Sequence, residues 1–259
     1  MNKYALITGG ASGLGIELAK LFAKEGINLY LVSSNPNNLK AAKEELEKEY
    51  KVNVETLALD LSNPVNFPKV REYSTSKNLD IEYLVNCAGF GDQKDFKDMD
   101  INLQLKMIEL NCNCPMYLMR DYVNDFLAKN SGHILNIASL ASFFPGPFMS
   151  TYHASKAFLL NISEAINREL KGTNVHVTTV CPGPFTSGFV ARAHNDYVFK
   201  KNKPISAYKV ATISMKAMKK NKAVTVIGFK NKLAVFASRF FSRNFLVNIS
   251  AKTLKEHGK

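Results

Sequence analysis

Short apolar segments alternate with helix-like segments along most of this chain of 259 residues. Strands are predicted at residues 4–7, 28–32, 54–59, 83–87, 133–137, 175–180 and 224–227. Helices are predicted at residues 14–24, 36–50, 101–127, 151–170, 205–219 and 230–255, with a weaker one after Pro64. Such alternation is typical of right-handed βαβ units. It predicts an α/β fold with a doubly wound parallel sheet of about seven strands flanked by helices.

The composition fits one globular domain spanning residues 1–259. Hydrophobic residues make up 46% of the chain, but no uncharged apolar run is long enough to predict a membrane span. The first residues run directly into a predicted strand without a signal-peptide pattern. The cysteines show no CxxC pair and no metal-ligand spacing; they are Cys87, Cys112, Cys114 and Cys181. We therefore expect reduced thiols, no metal site and a cytoplasmic protein.

The net charge of +12 is concentrated at the C-terminus. Residues 198–259 contain fifteen lysines and arginines and a single acid, Glu256. Residues 1–197 carry a net charge of −2, so the body of the chain is near neutral. The basic region can be a solvated face, or it can bind an anionic membrane, an acidic protein or an anionic substrate. Nucleic-acid binding is not expected, because no known binding module accompanies the charge.

The basic segment at residues 229–259 is also amphipathic. Leu233, Phe236 and Phe240 share one stripe of the predicted helix, while neighbouring lysines and arginines supply positive charge. An apolar stripe flanked by cations can make a peripheral contact with an anionic membrane. The same stripe can also close a substrate pocket, pack against another subunit or receive an acidic carrier.

A glycine-rich turn joins the first predicted strand to the first predicted helix. Gly9, Gly13 and Gly15 follow the spacing T-G-x3-G-x-G. Glycines in such a turn let backbone amides approach a pyrophosphate, and the following helix directs its N-terminal N–H groups at that anion. The spacing also occurs in ordinary strand-to-helix turns. We interpret the turn as a dinucleotide-binding loop.

Tyr152 and Lys156 stand four residues apart on a predicted helix, so they share one helix face. A neighbouring ammonium lowers the pKa of a tyrosine from its reference value of about 10. Tyr152 is therefore a candidate acid/base for carbonyl reduction. Ser139 ends the fifth predicted strand, where its hydroxyl can hold a substrate oxygen, and Ser142 and Ser155 are alternatives for that role. Without Ser139, Tyr152 and Lys156 would indicate only an amphipathic helix with a tyrosine and a lysine at its exposed edge.

In this order and at these distances, the motifs resemble the short-chain dehydrogenase/reductase family over residues 3–190. The matching motifs are residues 8–15, Asn86-Cys87-Ala88-Gly89, Asn111, Ser139, Tyr152 with Lys156, and Pro182-Gly183. Two positions depart from the family pattern: Cys87 stands where a second asparagine is usual, and Ser187 stands where a threonine is usual. The resemblance implies a Rossmann-like fold and an enzyme that acts on a CH–OH group with NAD(P).

The resemblance implies four catalytic residues. Tyr152 would be the acid/base and Ser139 the anchor of the substrate oxygen. Lys156 would lower the tyrosine pKa and hold the nicotinamide ribose. Asn111 would fix a water molecule that relays protons towards Lys156.

The resemblance also implies the residues that hold the dinucleotide. Asp60, after the third strand, is expected beside the adenine, and a hydroxyl of Thr186 or Ser187 is expected beside the nicotinamide amide. The implied set is Gly9, Ser12, Gly13, Leu14, Gly15, Ser34, Asp60, Leu61, Asn86, Ala88, Gly89, Tyr152, Lys156, Pro182, Gly183, Thr186 and Ser187.

The choice between NAD and NADP depends on the end of the second strand. An acid there binds the ribose 2′-hydroxyl of NAD, whereas an arginine binds the 2′-phosphate of NADP. This chain has Ser33, Ser34 and Asn35, and the neutral Ser12 stands where many NADP-dependent members have a basic residue. Because no carboxylate would repel the 2′-phosphate, we expect NADP to be slightly preferred over NAD.

The residues between Ser139 and Tyr152 are rich in phenylalanine, as are the ends of other strands. These aromatic residues suit a small hydrophobic ketone, aldehyde or alcohol, and equally a core or an interface. The main hypothesis is an NAD(P)-dependent oxidoreductase, and the alternative is a non-catalytic dinucleotide-binding regulator or scaffold. We expect a homo-oligomer, either a dimer or a tetramer, that is cytoplasmic and able to associate with membranes.

Overall fold

The computed structural model describes residues 3–186 and 204–255. Within them, seven parallel strands form one sheet in the order β3-β2-β1-β4-β5-β6-β9. These strands are β1 (Lys3–Thr8), β2 (Asn28–Ser33), β3 (Val54–Ala58), β4 (Asp80–Asn86), β5 (Gly132–Ile137), β6 (Val175–Cys181) and β9 (Val224–Val226). The predicted fold class and all seven predicted strands are confirmed. A two-residue pair, β7 (Phe185–Thr186) with β8 (Ile205–Ser206), was not predicted from the sequence.

The helices of the described residues cover both faces of the sheet. They are α1 (Gly13–Lys24), α2 (Pro36–Tyr50), α3 (Phe67–Ser76), α4 (Ile101–Ile108), α5 (Cys114–Lys129), α6 (Ser150–Glu169), α7 (Ala207–Lys219), α8 (Phe229–Ser238) and α9 (Arg243–Lys255). The helix predicted at residues 101–127 is interrupted by one π-helical turn, Glu109–Asn113, between α4 and α5. No helix in the described ranges is long and apolar enough to cross a membrane.

The prediction of a single helix at residues 230–255 is wrong, because the helical conformation is interrupted between α8 and α9. Ser242 explains the second start, since its hydroxyl accepts a hydrogen bond from the backbone N–H of Phe245 at 3.3 Å. A serine that accepts from the N–H three residues later caps a new helix. The local cap therefore outweighs the continuous apolar pattern.

Alternating side chains on each strand build two cores, one on each face of the sheet. Ile7, on β1, belongs to the core that α1, α2 and α7 cover. The preceding residue, Leu6, belongs to the opposite core, beneath α3, α5 and α6. Leu6 and Ile7 are both fully buried. Because successive strand residues point to opposite faces, an apolar run of this kind requires cover on both sides.

The strand order reverses beside β1, and this reversal opens a crevice at the carboxyl ends of the strands. Thr8, the last residue of β1, joins the two sides of the reversal. Its hydroxyl oxygen accepts hydrogen bonds from the backbone N–H groups of Cys87 at 3.1 Å and Ala88 at 3.2 Å, just beyond β4. The next residue, Gly9, donates its N–H to the carbonyl of Val32 on β2 at 2.7 Å. The end of β1 thus holds the ends of β4 and β2 in place.

Replacing Thr8 by valine is expected to lower the free energy of unfolding by roughly 2–6 kcal/mol, because two partly buried backbone N–H groups lose their acceptor and each unpaired donor costs roughly 1–3 kcal/mol. The shape of the side chain is unchanged. Urea denaturation followed by circular dichroism measures the effect. Thr8→Ser is the control, since it retains the hydroxyl; equal stability of the valine and serine variants would contradict the role of these hydrogen bonds.

Candidate active site

A cavity of about 620 Å³ lies beyond the carboxyl ends of the strands. Residues that follow six different strands contribute to its wall: Gly9, Ser34, Asp60, Ala88, Ser139 and Gly183. These are the strand ends at which the sequence placed its motifs. Parallel sheets bind ligands at this edge, next to the reversal in strand order.

The glycine turn is packed too tightly for any larger residue. Gly9 has a φ of +67°, and a Cβ atom on it would lie 3.1 Å from the Cα of Ala88. A Cβ atom on Gly15 would lie 2.1 Å from the carbonyl oxygen of Gly9. The turn therefore lies directly against the start of α1 and the end of β4.

The start of α1 meets the requirements of a pyrophosphate site. Ser12 is the N-cap residue, but its side chain makes no capping hydrogen bond. The first N–H groups of a helix have no partner within that helix. Gly13, Leu14 and Gly15 of the first turn line the cavity, so an anion there would meet unpaired donors and the positive end of the helix dipole. The residues present therefore fit a dinucleotide.

Lys156 is buried at the end of β5. Its Nζ donates to the carbonyl oxygen of Ile137, the last residue of β5, at 2.9 Å. Only 6% of the residue is exposed, and burial lowers the pKa of Lys156 from 10.5 to about 8. The ammonium is therefore held in a fixed place and is close to titrating at neutral pH.

Tyr152 and Ser139 lie on the cavity wall next to each other. Burial raises the pKa of Tyr152 from its ordinary value, and a hydrogen bond with the Ser139 side chain lowers it by a smaller amount. Lys156 Nζ lies 6.0 Å from the centre of the Tyr152 ring. The sequence-based expectation of a lowered tyrosine pKa is therefore wrong for this arrangement, because desolvation of the phenolate outweighs the favourable contacts.

Asn111 lies behind the cavity wall, in the π-helical turn. Its side chain donates to the carbonyl of Phe90 and to Ser155 Oγ, both at 3.0 Å, and accepts from the N–H of Phe90 at 3.2 Å. A Cβ atom on Gly89 would lie 2.9 Å from Asn111 Oδ1 and 3.3 Å from Lys156 Nζ. Asn111 is thus a neighbour of Lys156 across Gly89, and its role in holding a water molecule stays a prediction.

The two serines that competed with Ser139 have other partners. Ser142 Oγ donates to the carbonyl oxygen of Lys156 at 2.8 Å. Ser155 Oγ donates to the carbonyl oxygen of Tyr152 at 2.8 Å. Neither residue lines the cavity, whereas Ser139 does. Ser139 is therefore the serine of the three that is placed to meet a substrate.

Most of the predicted cofactor-binding residues lie on the cavity wall: Gly9, Ser12, Gly13, Leu14, Gly15, Ser34, Asp60, Leu61, Ala88, Gly89, Tyr152, Lys156, Pro182 and Gly183. Asn86 does not, because its side-chain amide donates to Asn136 Oδ1 at 2.8 Å behind the wall; Cys87 lines the cavity instead. Thr186 does not either, since its hydroxyl donates to the carbonyl of Ile205 at 3.2 Å. Ser187 lies outside the described residues.

The wall also contains residues that the sequence did not identify. Five come from the two C-terminal helices: Ala234, Ile249, Ser250, Thr253 and Leu254. Gln93 fastens α9 to the loop after β4, because its side-chain amide donates to the carbonyl of Leu254 at 3.0 Å. The two C-terminal helices therefore form part of the cavity wall, as expected if this segment closes a substrate pocket, which was one of the sequence-based alternatives. The amphipathic stripe was the available signal, but its position above the cavity follows from tertiary packing.

Within residues 3–186 and 204–255, no cluster of three histidine, cysteine or acidic side chains could hold a metal ion. The arrangement instead places a phenol, a hydroxyl and a buried ammonium beside a predicted dinucleotide site. These groups can hold an oxygen atom and exchange a proton with it.

Comparison with known proteins identifies relatives with this organisation. The family model described as short chain dehydrogenase matches residues 3–197. An uncharacterised oxidoreductase of Bacillus subtilis is 37% identical over 187 residues, which cover 71% of this chain and 68% of the relative. An NADP-dependent 3-hydroxy acid dehydrogenase of Schizosaccharomyces pombe is 31% identical over 237 residues, 87% and 90% of the two chains. The structure of a short-chain dehydrogenase from Sphingobium yanoikuyae in complex with NADPH superposes with a TM-score of 0.83 at 27% identity and covers 93% of each chain.

The buried Lys156 predicts a specific dependence of stability on pH. Its pKa is about 8 in the folded chain and 10.5 as the ordinary value, so between these pH values the unfolded chain binds more protons at this site. Wild-type stability should therefore rise with pH relative to that of Lys156→Met, by on the order of 3 kcal/mol over this window. Urea denaturation of both proteins at pH 8 and pH 10.5 measures the difference. If the difference in unfolding free energy between the two proteins were the same at both pH values, the pKa of Lys156 would not be lowered by folding.

Proposed function

The chain belongs to the short-chain dehydrogenase family and is an NAD(P)-dependent oxidoreductase acting on a CH–OH group, and from this premise we propose that it interconverts a hydrophobic ketone or aldehyde with its alcohol. The observation that carries the proposal is that Ser139 and Tyr152 share one cavity wall with many apolar side chains. These apolar residues are Phe90, Leu110, Phe144, Met149, Phe185 and Leu254. A small number of polar groups in a mainly apolar cavity suits a hydrophobic substrate with one reacting oxygen.

A dinucleotide held by Gly9, Gly13 and Gly15 would supply the hydride for carbonyl reduction, or take one up in alcohol oxidation. Ser139 holds the substrate oxygen, and Tyr152 gives it a proton. Because burial raises the pKa of Tyr152, its phenol is favoured over the phenolate and is suited to act as the acid in carbonyl reduction. Lys156, charged below its pKa of about 8, would stabilise the phenolate left behind. Alcohol oxidation needs the deprotonated tyrosine and is therefore favoured at higher pH.

The alternative function, a dinucleotide-binding regulator or scaffold, has less support. A protein that only binds has no use for a phenol, a serine hydroxyl and a buried ammonium at the reacting end of the cavity. Lys156 in particular costs free energy where it lies, because burial opposes its charge. Such a cost is typical of functional sites.

We propose NADP as the preferred cofactor. Ser33 and Ser34 line the cavity where an acid would select NAD. Asn35 is engaged elsewhere, because its side chain accepts from the N–H groups of Asn37 and Asn38 at the start of α2. The Schizosaccharomyces pombe relative is named as NADP-dependent, and the Sphingobium yanoikuyae structure contains NADPH.

The proposal extends to partners and location. Exposed apolar side chains on neighbouring helices, Ile101, Leu105, Tyr117 and Phe158, support a contact between copies of the chain. A homo-oligomer, dimer or tetramer, is therefore retained, and light scattering coupled to size-exclusion chromatography measures it. We also propose a cytoplasmic location and a peripheral membrane contact through the basic segment at residues 229–259.

Tyr152→Phe is expected to lower the turnover number on a hydrophobic ketone by roughly 10²–10⁴-fold, because only the proton-donating hydroxyl is lost. Dinucleotide affinity should stay nearly unchanged, as measured by fluorescence titration. Tyr208→Phe is the matched control, since Tyr208 is 56% exposed on α7 and should retain full activity. Wild-type turnover in Tyr152→Phe would contradict the assignment.

Ser34→Arg is expected to shift preference further towards NADP, because a guanidinium binds the 2′-phosphate, and Ser34→Asp towards NAD, because a carboxylate repels it. Competition between NADH and NADPH in steady-state kinetics gives the ratio of kcat/KM values. A strong preference of the wild type for NAD would overturn the NADP proposal. Identical ratios in all three proteins would remove Ser34 from the cofactor site.

A further inference from the structure

The helices α8 and α9 and the turn between them carry an exposed aromatic surface, called here the C-terminal surface. None of the residues of α8 is buried. The most exposed side chains are Phe229 at 82% and Phe240 at 73%. Leu233, Phe236, Phe241, Phe245 and Ile249 are exposed as well. A contiguous apolar surface of this kind indicates an interaction site.

The C-terminal surface is also cationic. Its basic residues Lys230, Lys232, Arg239, Arg243 and Lys252 are all exposed. In the described part of the chain, none of these five forms an ion pair within 4.0 Å. Residues 229–255 contain no acid at all. Exposed phenylalanines among unpaired cations are the combination that an anionic membrane surface attracts.

The same surface continues into the candidate active site. Ile249 is 47% exposed and also lines the cavity. Ala234, exposed on α8, lines the cavity too. These two apolar residues, called here the apolar path, therefore belong both to the C-terminal surface and to the wall of the cavity that contains Tyr152.

From these observations we propose that the C-terminal surface docks on an anionic lipid bilayer and that hydrophobic substrate enters the cavity from the lipid. The docking step depends only on α8 and α9, whereas the entry step rests on the function proposed above. Docking places the apolar path against the hydrocarbon, where a hydrophobic ketone is concentrated. The cations bind lipid head groups, and the phenylalanines enter the boundary between head groups and acyl chains.

A second copy of the chain fits this surface less well. A two-fold dimer contact brings the same patch of each copy together. Here it would place the five cations of one copy against those of the other, with no acid in residues 229–255 to pair with them. Like charges brought together in this way oppose association. An anionic bilayer, in contrast, neutralises the cations.

Docking is tested with the purified full-length chain and sedimented vesicles. Binding to phosphatidylglycerol vesicles is expected at low salt, with much weaker binding to phosphatidylcholine vesicles and in roughly 0.5 M salt, where charges are screened. The variant Lys230→Glu/Lys232→Glu should bind at least about twentyfold more weakly, since each basic residue near an anionic surface contributes roughly fivefold. The matched control is Lys40→Glu/Lys48→Glu on α2, which makes the same charge change at two other exposed positions and should bind like wild type.

A second pair of variants tests the aromatic part. Phe229→Ser/Phe240→Ser should lose binding to anionic vesicles, whereas Val65→Ser/Phe96→Ser, which removes two apolar side chains that are 69% and 77% exposed elsewhere on the chain, should not. Absence of wild-type binding at low salt would overturn the proposal. So would unchanged binding by either surface variant, or light scattering in which Phe229→Ser/Phe240→Ser converts a dimer into a monomer.

Substrate entry is tested by turnover on two ketones, one long-chain and incorporated in phosphatidylglycerol vesicles, the other short and water-soluble. The surface variants should be slower than wild type only on the vesicle-borne ketone. Equal rates on that ketone would overturn entry from the lipid. Because vesicle binding is measured without turnover, a wild-type chain that docks but reduces neither ketone would contradict the proposed oxidoreductase substrate and leave docking supported.

Discussion

The arrangement of the site depends on the hydroxyl of Thr8, which accepts hydrogen bonds from two backbone N–H groups beyond β4. Thr8 ends β1, the strand beside which the sheet reverses its order. Here one set of connections leads towards β2 and β3, and the other towards β4, β5 and β6. The threonine thereby ties the glycine turn that follows it to Cys87 and Ala88, the residues that precede Gly89. A ligand that spans the crevice meets both sides in a defined relation.

Burial sets the chemistry of the site as strongly as charge does. It raises the pKa of Tyr152 and lowers that of Lys156 to about 8, because an interior of low polarity disfavours both charged forms. A neutral phenol next to Ser139 is suited to protonating a carbonyl oxygen. The buried ammonium of Lys156, which donates a hydrogen bond to the carbonyl oxygen of Ile137, would stabilise the phenolate when it forms. In the reaction that we propose, the two opposite pKa shifts would favour carbonyl reduction over alcohol oxidation.

Much of the fold and the site could be predicted from the sequence, because short-range patterns determine them. The apolar runs located every strand of the main sheet, and the glycine spacing located a turn whose Gly15 leaves no room for a Cβ atom. The features of the site that the sequence did not show depend on contacts between distant residues. Asn86 turns away from the cavity towards Asn136, and α9 covers the cavity through Gln93. Neither contact leaves a periodic signal in the sequence, and nor does the burial that raises the pKa of Tyr152.

The most direct test of the account is the absorbance of the reduced nicotinamide band when wild-type protein, NADPH and a series of hydrophobic ketones are mixed, with the products identified by mass spectrometry. The account predicts that NADPH is oxidised in proportion to the alcohol formed, and that bulkier apolar ketones are among the substrates. A protein that binds NADPH tightly but leaves its absorbance unchanged with every ketone and aldehyde, and that oxidises no alcohol with NADP, would contradict the central claim.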